Sequence, residues 1–295
     1  MPSLITQVKA KLFIRSAQKS VHALDGAYAS LLRGRSLDFE DLRPYEYGDQ
    51  VRDIDWRATA RHGEPLIKRT KATRRHTVLF VVDAGRGMNA LAQDERSKRE
   101  LAVLATGALG FLTVRHGDDF SVVYGDASGV RRLAPGGTEG ALEHALRSID
   151  HAIAHSAAPN DRDALLGYVA KNIAKRMIVV IVTDEAPTTP HTERMLRRLT
   201  VQHDVLWLTL RDADPVIGHG TRARQDADTR WVVPDFVHGD EAVIAELAAQ
   251  EAADTARRDE LLRRLEITHV ELAGQDQTVN ALLTMLGRRS HARGR

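Results

Sequence analysis

Apolar and polar positions along the chain form two alternating kinds of pattern. Short, continuous apolar runs are typical of strands that are covered on both faces, and they predict strands over 78–82, 120–124, 177–183, 204–210 and 267–272. Longer stretches with apolar positions three or four residues apart predict helices over 95–114, 138–151, 163–173, 191–200, 242–265 and 278–286. Because strands that alternate with helices of this length form parallel βαβ units, we predict an α/β fold with a doubly wound, mostly parallel sheet and flanking helices.

The remaining segments are less regular. Residues 4–32 favour a basic helix with Leu4, Val8 and Leu12 on one face, which either docks on its own domain, the more common case, or lies on an anionic membrane. The segment over 65–71 predicts an edge strand, and 125–133 predicts a turn with a hairpin arm. Residues 218–228 predict a polar loop, and 287–295 predict a basic disordered tail. We therefore divide the chain into three parts: a helix with a charged segment over 1–75, a sheet domain over 76–286, and a tail over 287–295.

Composition narrows the classes of function. With 295 residues and 43% hydrophobic residues the chain can form a packed core, and a formal net charge of +2 argues against a dedicated nucleic-acid binder. The absence of cysteine excludes disulfides, thiolate metal sites and cysteine nucleophiles. We find no apolar stretch of about 18 residues and no secretory signal, so we expect a cytoplasmic protein, with peripheral attachment to a membrane as the alternative. The common nucleotide-binding and hydrolase motifs are missing, so we do not expect an enzyme.

The segment over 41–69, DLRPYEYGDQVRDIDWRATARHGEPLIKR, is the densest mixture of charged, aromatic and glycine residues in the chain. Alternating arginine and aspartate predict a segment held by charge-assisted hydrogen bonds. We expect Ile54 and Trp56 to be buried within this network, and we expect 52–61 to be ordered against the sheet domain. Two interpretations stay open, a structural brace without a partner and a polar recognition surface.

This segment resembles the domain-of-unknown-function 58 family. The resemblance is specific over 33–83, and from there to about 286 it extends only to the order of strands and helices. The residues that carry it are Asp38-Phe39, Leu42-Arg43-Pro44-Tyr45, Gly48-Asp49, Arg52-Asp53-Ile54-Asp55-Trp56 and Ala60-Arg61. It implies a von Willebrand factor A-like domain and a MoxR-type AAA+ ATPase as partner, with the client protein unspecified. The structural residues that it implies are Arg43, Tyr45, Gly48, Asp49, Arg52, Asp55, Trp56 and Arg61.

Two of the predicted strands are followed by an aspartate, Asp83 and Asp184. Ligands of parallel sheets bind at the carboxyl ends of strands, and the arrangement, with Thr138 in a Gly-Gly-Thr loop, resembles the metal-ion-dependent adhesion site of von Willebrand factor A domains. There, an Asp-x-Ser-x-Ser loop, a loop threonine and a later aspartate hold Mg²⁺. In this chain both serine positions are glycine, Gly85 and Gly87, so the resemblance implies Mg²⁺ binding that is weak or absent. The alternative is that Asp83 and Thr138 cap the following turns and that Asp184 pairs with an arginine.

These observations lead to one main hypothesis and two alternatives. We expect a non-catalytic adaptor that binds a MoxR-type AAA+ ATPase in protein remodelling or complex maturation, with Asp83, Arg86, Thr138 and Asp184 on the partner surface. The first alternative is a metal-dependent enzyme that uses Asp83 and Asp184. The second is electrostatic attachment to anionic lipid or nucleic acid through the N-terminal helix and the basic tail.

Overall fold

The computed structural model describes residues 3–14, 26, 28, 41–47, 49, 51, 54–69, 76–214, 225–227, 230, 232 and 240–292. The N-terminal part contains helix α1 (Leu4–Ile14), strand β1 (Asp41–Pro44), helix α2 (Trp56–His62) and strand β2 (Leu66–Arg69). β1 and β2 pair in an antiparallel two-stranded sheet. The predicted edge strand over 65–71 is therefore confirmed as β2, although its partner belongs to the charged segment itself.

A six-stranded sheet forms the centre of the remaining chain. Its strands are β3 (Thr77–Asp83), β4 (Asp119–Asp126), β5 (Gly129–Gly136), β6 (Ile178–Thr183), β7 (Asp204–Leu210) and β8 (Thr268–Leu272). Their order is β5-β4-β3-β6-β7-β8, and every neighbouring pair is parallel except β4 and β5. The order reverses direction at β3, because the chain passes first to β4 on one side and later to β6 on the other. The predicted doubly wound, mostly parallel sheet is thus confirmed.

Helices cover both faces of this sheet. They are α3 (Lys98–Arg115), α4 (Glu139–His155), α5 (Arg162–Asn172), α6 (Pro190–Gln202), α7 (Glu241–Arg264) and α8 (Gln275–Ala292). Alternate residues of each buried strand point to opposite faces. Phe80 and Val82 therefore pack with α1, α3, α4 and α8, whereas Leu79 and Val81 pack with α5, α6 and the end of α7. This layered arrangement is the von Willebrand factor A-like fold that the sequence predicts.

Helix α1 docks on its own domain. Ile5, Val8 and Leu12 are buried in the core formed with α3 and α4. The carboxylate of Glu143 accepts hydrogen bonds from the backbone N–H groups of Leu4, at 3.1 Å, and Ile5, at 2.8 Å, which lie at the start of the helix. Burial alone would raise the pKa of Glu143, but these hydrogen bonds outweigh burial and lower it. The prediction of a docked helix is confirmed, although α1 ends at Ile14 and most of 15–32 lies outside the described residues.

The C-terminal end differs from the prediction. Helix α8 runs from Gln275 to Ala292, so the expected disordered tail over 287–295 is wrong for 287–292. Arg289 is buried, forms an ion pair with the buried Asp204 at the start of β7, and donates to Thr268 Oγ1 at 2.7 Å. The boundary predicted at 286 is therefore also wrong, because this basic residue belongs to the sheet domain.

The charged segment folds as a small unit around β1 and β2. The backbone N–H of Tyr45 donates to Pro65 O at 2.9 Å, and that of Asp55 donates to Leu66 O at 2.8 Å. Asp55 caps α2 by accepting from the N–H groups of Arg57 and Ala58. Arg43 and Asp49 form an ion pair at 2.5 Å.

The expected burial of Trp56 is wrong, because its side chain is 66% exposed. Since Asp55 is the cap, Trp56 becomes the first residue of α2, and Ala58, Leu66 and Ile67 fill the interior of the small unit instead. Gly48 and Arg52 lie outside the described residues. The expectation that 52–61 is ordered against the sheet domain stays a prediction.

Among the helices that the structure describes, none is both long enough and apolar enough to cross a lipid bilayer.

The ion pair between Arg289 and Asp204 gives a first prediction. Arg289→Met should lower the free energy of unfolding by about 3–5 kcal/mol, because it leaves a buried carboxylate without its cation. Urea denaturation measures this change. Lys9→Met is the matched control, since the ion pair of Lys9 with Glu139 is partly exposed and is worth at most about 1 kcal/mol. Equal losses in the two variants would contradict the structural role of Arg289.

The cap at Asp55 gives a second prediction. Asp55→Ala should weaken α2 by about 1 kcal/mol, because two helix N–H groups lose their acceptor. Hydrogen exchange of the α2 amides should become roughly fivefold faster. Arg61→Ala should leave this exchange unchanged, because its guanidinium is exposed and, among the described residues, donates to the carbonyl of Arg57 within the same helix. A large loss of global stability in both variants would instead support a buried charge network.

Candidate functional site at the carboxyl ends of the parallel strands

The structure brings Asp83 and Asp184 together at the point where strand order reverses. Asp83 ends β3 and Asp184 follows the neighbouring β6, and these side-chain carboxylates are both buried, with residue exposures of 1% and 5%. Asp83 Oδ1 accepts from the N–H of Gly85 at 3.4 Å, and Oδ2 accepts from Thr183 Oγ1 at 3.5 Å. Asp184 Oδ1 accepts from the N–H of Ala186 at 3.1 Å. Both carboxylates therefore lie beneath the surface and are held by protein donors.

Thr138 does not lie with these carboxylates, so the predicted three-residue arrangement is wrong. β5 runs antiparallel to β4, and its last residue, Gly136, pairs with Phe120 near the start of β4. Asp83, in contrast, pairs with Gly125 near the end of β4. Thr138 is therefore at the opposite edge of the sheet, where its side chain accepts from the N–H of Ala141 at 3.2 Å and caps α4. The alternative interpretation of Thr138 as a helix cap is confirmed.

The residue that reaches Asp184 from a neighbouring loop is Asn160, which the sequence analysis did not select. It lies between α4 and α5, and its Nδ2 donates to Asp184 Oδ2. This loop also contacts the 3-10 turn that follows β3 (Arg86–Asn89), because the N–H of Arg86 donates to Ala158 O at 2.8 Å. An Asn in a polar loop carries no distinctive sequence signal, so only the fold reveals this role.

Gly85 is required by the close approach of that loop. A Cβ atom added to Gly85 would lie 2.6 Å from Asn160 Cα, which is closer than real Cβ contacts come. A serine at this position therefore cannot supply a metal-binding hydroxyl unless the loop moves away. The glycine at the first serine position is thus part of the packing of the edge.

Arg162 supplies positive charge next to the loop that follows Asp184. Its guanidinium is buried at the start of α5, donates to Ala186 O at 2.9 Å and Pro187 O at 2.7 Å, and lies over the Trp207 ring at 5.4 Å. Burial lowers the pKa of Arg162, and the attraction of Asp184 and Asp83 opposes this effect. Arginine nevertheless remains charged in proteins. The interpretation of Asp184 as the partner of an arginine stays a prediction.

Further ion pairs surround this edge. Lys98, which is buried at the start of α3, pairs with Asp212 after β7. Arg211 pairs with Glu185, Glu251 and Glu271 at 2.9, 2.6 and 3.0 Å, and so joins the end of β7 to the loop after β6, to α7 and to β8. Burial raises the pKa of Glu185, although Arg211 and the N–H of Asp212 oppose this shift. The loops at this edge are therefore fixed to one another by charge.

These residues do not fit the divalent cation that the resemblance implies. Mg²⁺ requires several oxygen ligands, yet both carboxylates accept hydrogen bonds from the protein, and Gly85 and Gly87 offer no hydroxyl. Within the described ranges, no three acidic or histidine side chains come together as a metal-binding group. A buried guanidinium also lies close by, so the edge already contains a cation.

The packing at Gly85 gives a third prediction. Gly85→Ala should lower the free energy of unfolding by about 1–3 kcal/mol, because the new methyl group displaces the Asn160 loop. Gly167→Ala in α5 is the control, since nothing lies within 4 Å of its added Cβ, and it should stabilise the protein by up to about 1 kcal/mol. Urea denaturation compares the two variants, and equal stability of both would contradict the close approach.

Comparison with known proteins gives similar chains of unassigned function. The uncharacterized protein Rv1480 of Mycobacterium tuberculosis is 28% identical over 247 residues, covering 81% of this chain and 76% of the relative. The uncharacterized protein Mb1516 of Mycobacterium bovis matches to the same extent. Among solved structures, an aerotolerance-related membrane protein from Bacteroides fragilis aligns with a TM-score of 0.46 at 15% identity, over 72% of this chain and 99% of that one. BatB from Bacteroides thetaiotaomicron aligns with a TM-score of 0.45 at 13% identity, over 73% and 99%.

A family model extends this similarity over most of the chain. The model described as protein of unknown function DUF58 matches residues 41–257, which begin at β1 and include β3 to β7. A match over more than half of the chain identifies the family. The chain therefore belongs to the DUF58 family of proteins of unknown function.

Proposed function

We propose that this chain is a non-catalytic protein-binding module and that its partner is a MoxR-type AAA+ ATPase, as the family resemblance of 33–83 implies. One observation carries the binding role, an exposed surface on the small unit around β1 and β2. We call it the aromatic–arginine surface, and it consists of Leu42, Tyr45, Tyr47, Val51, Trp56, Arg57 and Arg61.

The concentration of apolar groups distinguishes this surface. Five of the nine large hydrophobic side chains that are exposed among the described residues lie on it, and Trp56 and Val51 are 66% and 61% exposed. Grouped exposed apolar residues mark interaction sites more often than scattered ones do. Trp, Tyr and Arg are also the residues most enriched among the energetic centres of protein interfaces.

The small unit holds this surface in place. Asp55 fixes the start of α2, and Thr59 Oγ1 accepts from the N–H of Leu66 at 3.0 Å, which ties α2 to β2. Arg57 and Arg61 are one helical turn apart, so they share a face next to Trp56. Since less side-chain and loop entropy is lost when a rigid surface binds, such an arrangement favours specific recognition.

Charge specifies the kind of partner. Arg57 and Arg61 are both exposed on α2, so they place two positive charges one helical turn apart beside Trp56. We therefore expect an acidic partner surface with an apolar recess that receives Trp56. The aliphatic Leu42 and Val51 favour a protein partner over a nucleic acid, because they offer neither a stacking face nor a cation to a nucleotide.

The carboxyl ends of the strands are less suited to contact a partner. Asp83 and Asp184 are buried, and Arg86 Nη1 is hydrogen-bonded to Ala157 O at 2.9 Å. A partner that bound there would have to displace the loop around Asn160 first. We therefore move the proposed interface from that edge to the aromatic–arginine surface.

Binding to the purified ATPase tests this proposal. Trp56→Ala should weaken the affinity of the full chain for a MoxR-type AAA+ ATPase of the same organism by roughly 30-fold, which corresponds to an interface centre worth about 2 kcal/mol. Arg57→Glu with Arg61→Glu should abolish binding, because it reverses the charge beside Trp56. Surface plasmon resonance measures both affinities.

Matched controls lie on α6. Val201→Ala removes an apolar side chain that is 81% exposed, and Arg194→Glu with Arg198→Glu reverses two exposed arginines at the same helical spacing. These variants should bind the ATPase as the wild type does. Unchanged binding by the α2 variants would refute the proposed surface, and binding of acidic peptides or single-stranded RNA but not of the ATPase would replace the proposed partner.

A further inference from the structure

We propose that exposed cations at the amino ends of β6 and β7 form a binding surface for the anionic headgroups of a lipid bilayer. We call it the basic surface, and it consists of Lys171, Lys175, Arg176, Arg198, Val201 and Arg288. It lies at the opposite edge of the sheet from Asp83 and Asp184. The proposal does not depend on the partner of the aromatic–arginine surface.

The topology brings these residues together, because each crossover helix returns the chain to the edge where the next parallel strand begins. The turn between α5 and β6 carries Lys175 and Arg176. Helix α6 ends directly before β7 and carries Arg198 and Val201 in its last two turns. The N–H of Asp204, at the start of β7, donates to the carbonyl of the residue before β6 at 2.9 Å. The turn before β6 and the end of α6 are therefore neighbours.

The ends of two further helices add cations at the same edge. Arg289 Nη1 donates to the carbonyl of Val205 at 3.4 Å, so the end of α8 lies next to the start of β7. Arg288 precedes Arg289 and is exposed. Lys171 is exposed in the last turn of α5. Five positive charges from α5, α6, α8 and one turn are thus collected at one edge of the sheet.

These five cations have no carboxylate partner in the part of the chain that the structure describes. Basic residues close to them are neutralised instead, since Arg197 and Arg264 both pair with Glu193 at 2.7 Å. Glu266, before β8, adds one exposed carboxylate near this edge. The surface therefore keeps a net positive charge that is open to an anionic partner.

The side chains on the basic surface favour a bilayer over a nucleic acid or a protein. Val201 is 81% exposed beside the cations, so an aliphatic group can enter the headgroup layer. The exposed Trp and Tyr side chains of the described residues are Tyr45, Tyr47 and Trp56, all on the aromatic–arginine surface. The basic surface thus lacks the rings on which bases stack and which centre protein interfaces. Anionic headgroups attract Lys and Arg by charge, without a complementary recess.

The segments from which the sequence predicts lipid attachment are engaged elsewhere. Ile5, Val8 and Leu12 of α1 are buried in the core, so this helix offers no apolar face to a membrane. Arg289 of the predicted tail is paired with Asp204. The cations at the amino ends of β6 and β7 therefore provide a different route to the bilayer.

Co-sedimentation of the full chain with lipid vesicles tests this proposal. The wild type should bind vesicles of phosphatidylcholine and phosphatidylglycerol in equal parts but not vesicles of phosphatidylcholine alone, and rising salt should release it. Lys175→Gln with Arg176→Gln should weaken binding by about 25-fold, because each cation near an anionic membrane contributes roughly a fivefold factor. Arg198→Gln should weaken binding about fivefold for the same reason.

Two exposed arginines on β5 provide the matched control. Arg131→Gln with Arg132→Gln removes the same charge from adjacent residues without an ion-pair partner, on a strand that β4 and β3 separate from β6. This variant should bind vesicles as the wild type does. All of these substitutions change exposed side chains, and Tm measurements verify that each variant is folded.

A cross-test separates this proposal from the proposed function. Trp56→Ala should bind vesicles as the wild type does, and Lys175→Gln with Arg176→Gln should bind the ATPase as the wild type does. Loss of one kind of binding in each variant would show that the two surfaces act independently.

Four results would overturn the proposal. The first is a wild type that does not bind the mixed vesicles. The second is an equal loss in the two paired glutamine variants, which would show an effect of net charge alone. The third is release from the vesicles by inorganic phosphate at an ionic strength at which chloride does not release the protein, which would indicate a site for free phosphate. The fourth is tighter binding to single-stranded RNA that the substitutions at Lys175 and Arg176 weaken, which would assign the surface to nucleic acid.

Discussion

Two carboxylates buried at the ends of adjacent parallel strands impose a strict demand on the surrounding chain. Asp83 and Asp184 lie at the ends of β3 and β6, which pair in parallel with Val82 opposite Val182, and helices cover both faces of these strands. Since an uncompensated charge cannot remain buried, the loops must bring donors and a cation to this place. Gly85 allows the Asn160 loop to approach, Asn160 binds Asp184, and the buried Arg162 guanidinium donates to the carbonyls of Ala186 and Pro187 in the loop after Asp184. The edge is in this way completed by the chain itself.

Charge also connects the more distant elements, while the exposed binding groups lie elsewhere. Arg211 joins β7 to α7 and β8, and Arg289 joins α8 to β7 at the opposite edge. These contacts hold α7, α8 and β8 to the centre of the sheet domain. The segment over 41–69 carries Trp56 and the other exposed groups of the proposed surface in the small unit around β1, β2 and α2.

The sequence predicts the central strands well because their apolar runs have few alternative structures. β3, β6 and β7 agree closely with the predicted runs, whereas α3 begins three residues later than predicted, after Glu95 adopts a left-handed backbone conformation. The site was less predictable, because it depends on strand direction. The antiparallel β5 carries Thr138 away, and the fold brings Asn160 and Arg162 in from a loop and a helix start without a sequence signal. Trp56 is exposed because the cap at Asp55 makes it the first residue of α2, which the alternation of apolar and charged residues does not reveal.

A crystal structure of the wild-type chain grown with Mn²⁺ would test the central claim most directly. Manganese has a strong anomalous signal, so an ion at the strand ends would be located without ambiguity. We predict no anomalous peak between Asp83 and Asp184, with Asn160 bound to Asp184 and the Arg162 guanidinium bound to the carbonyls of Ala186 and Pro187. A manganese ion that contacts both carboxylates, with Arg162 displaced, would contradict the account.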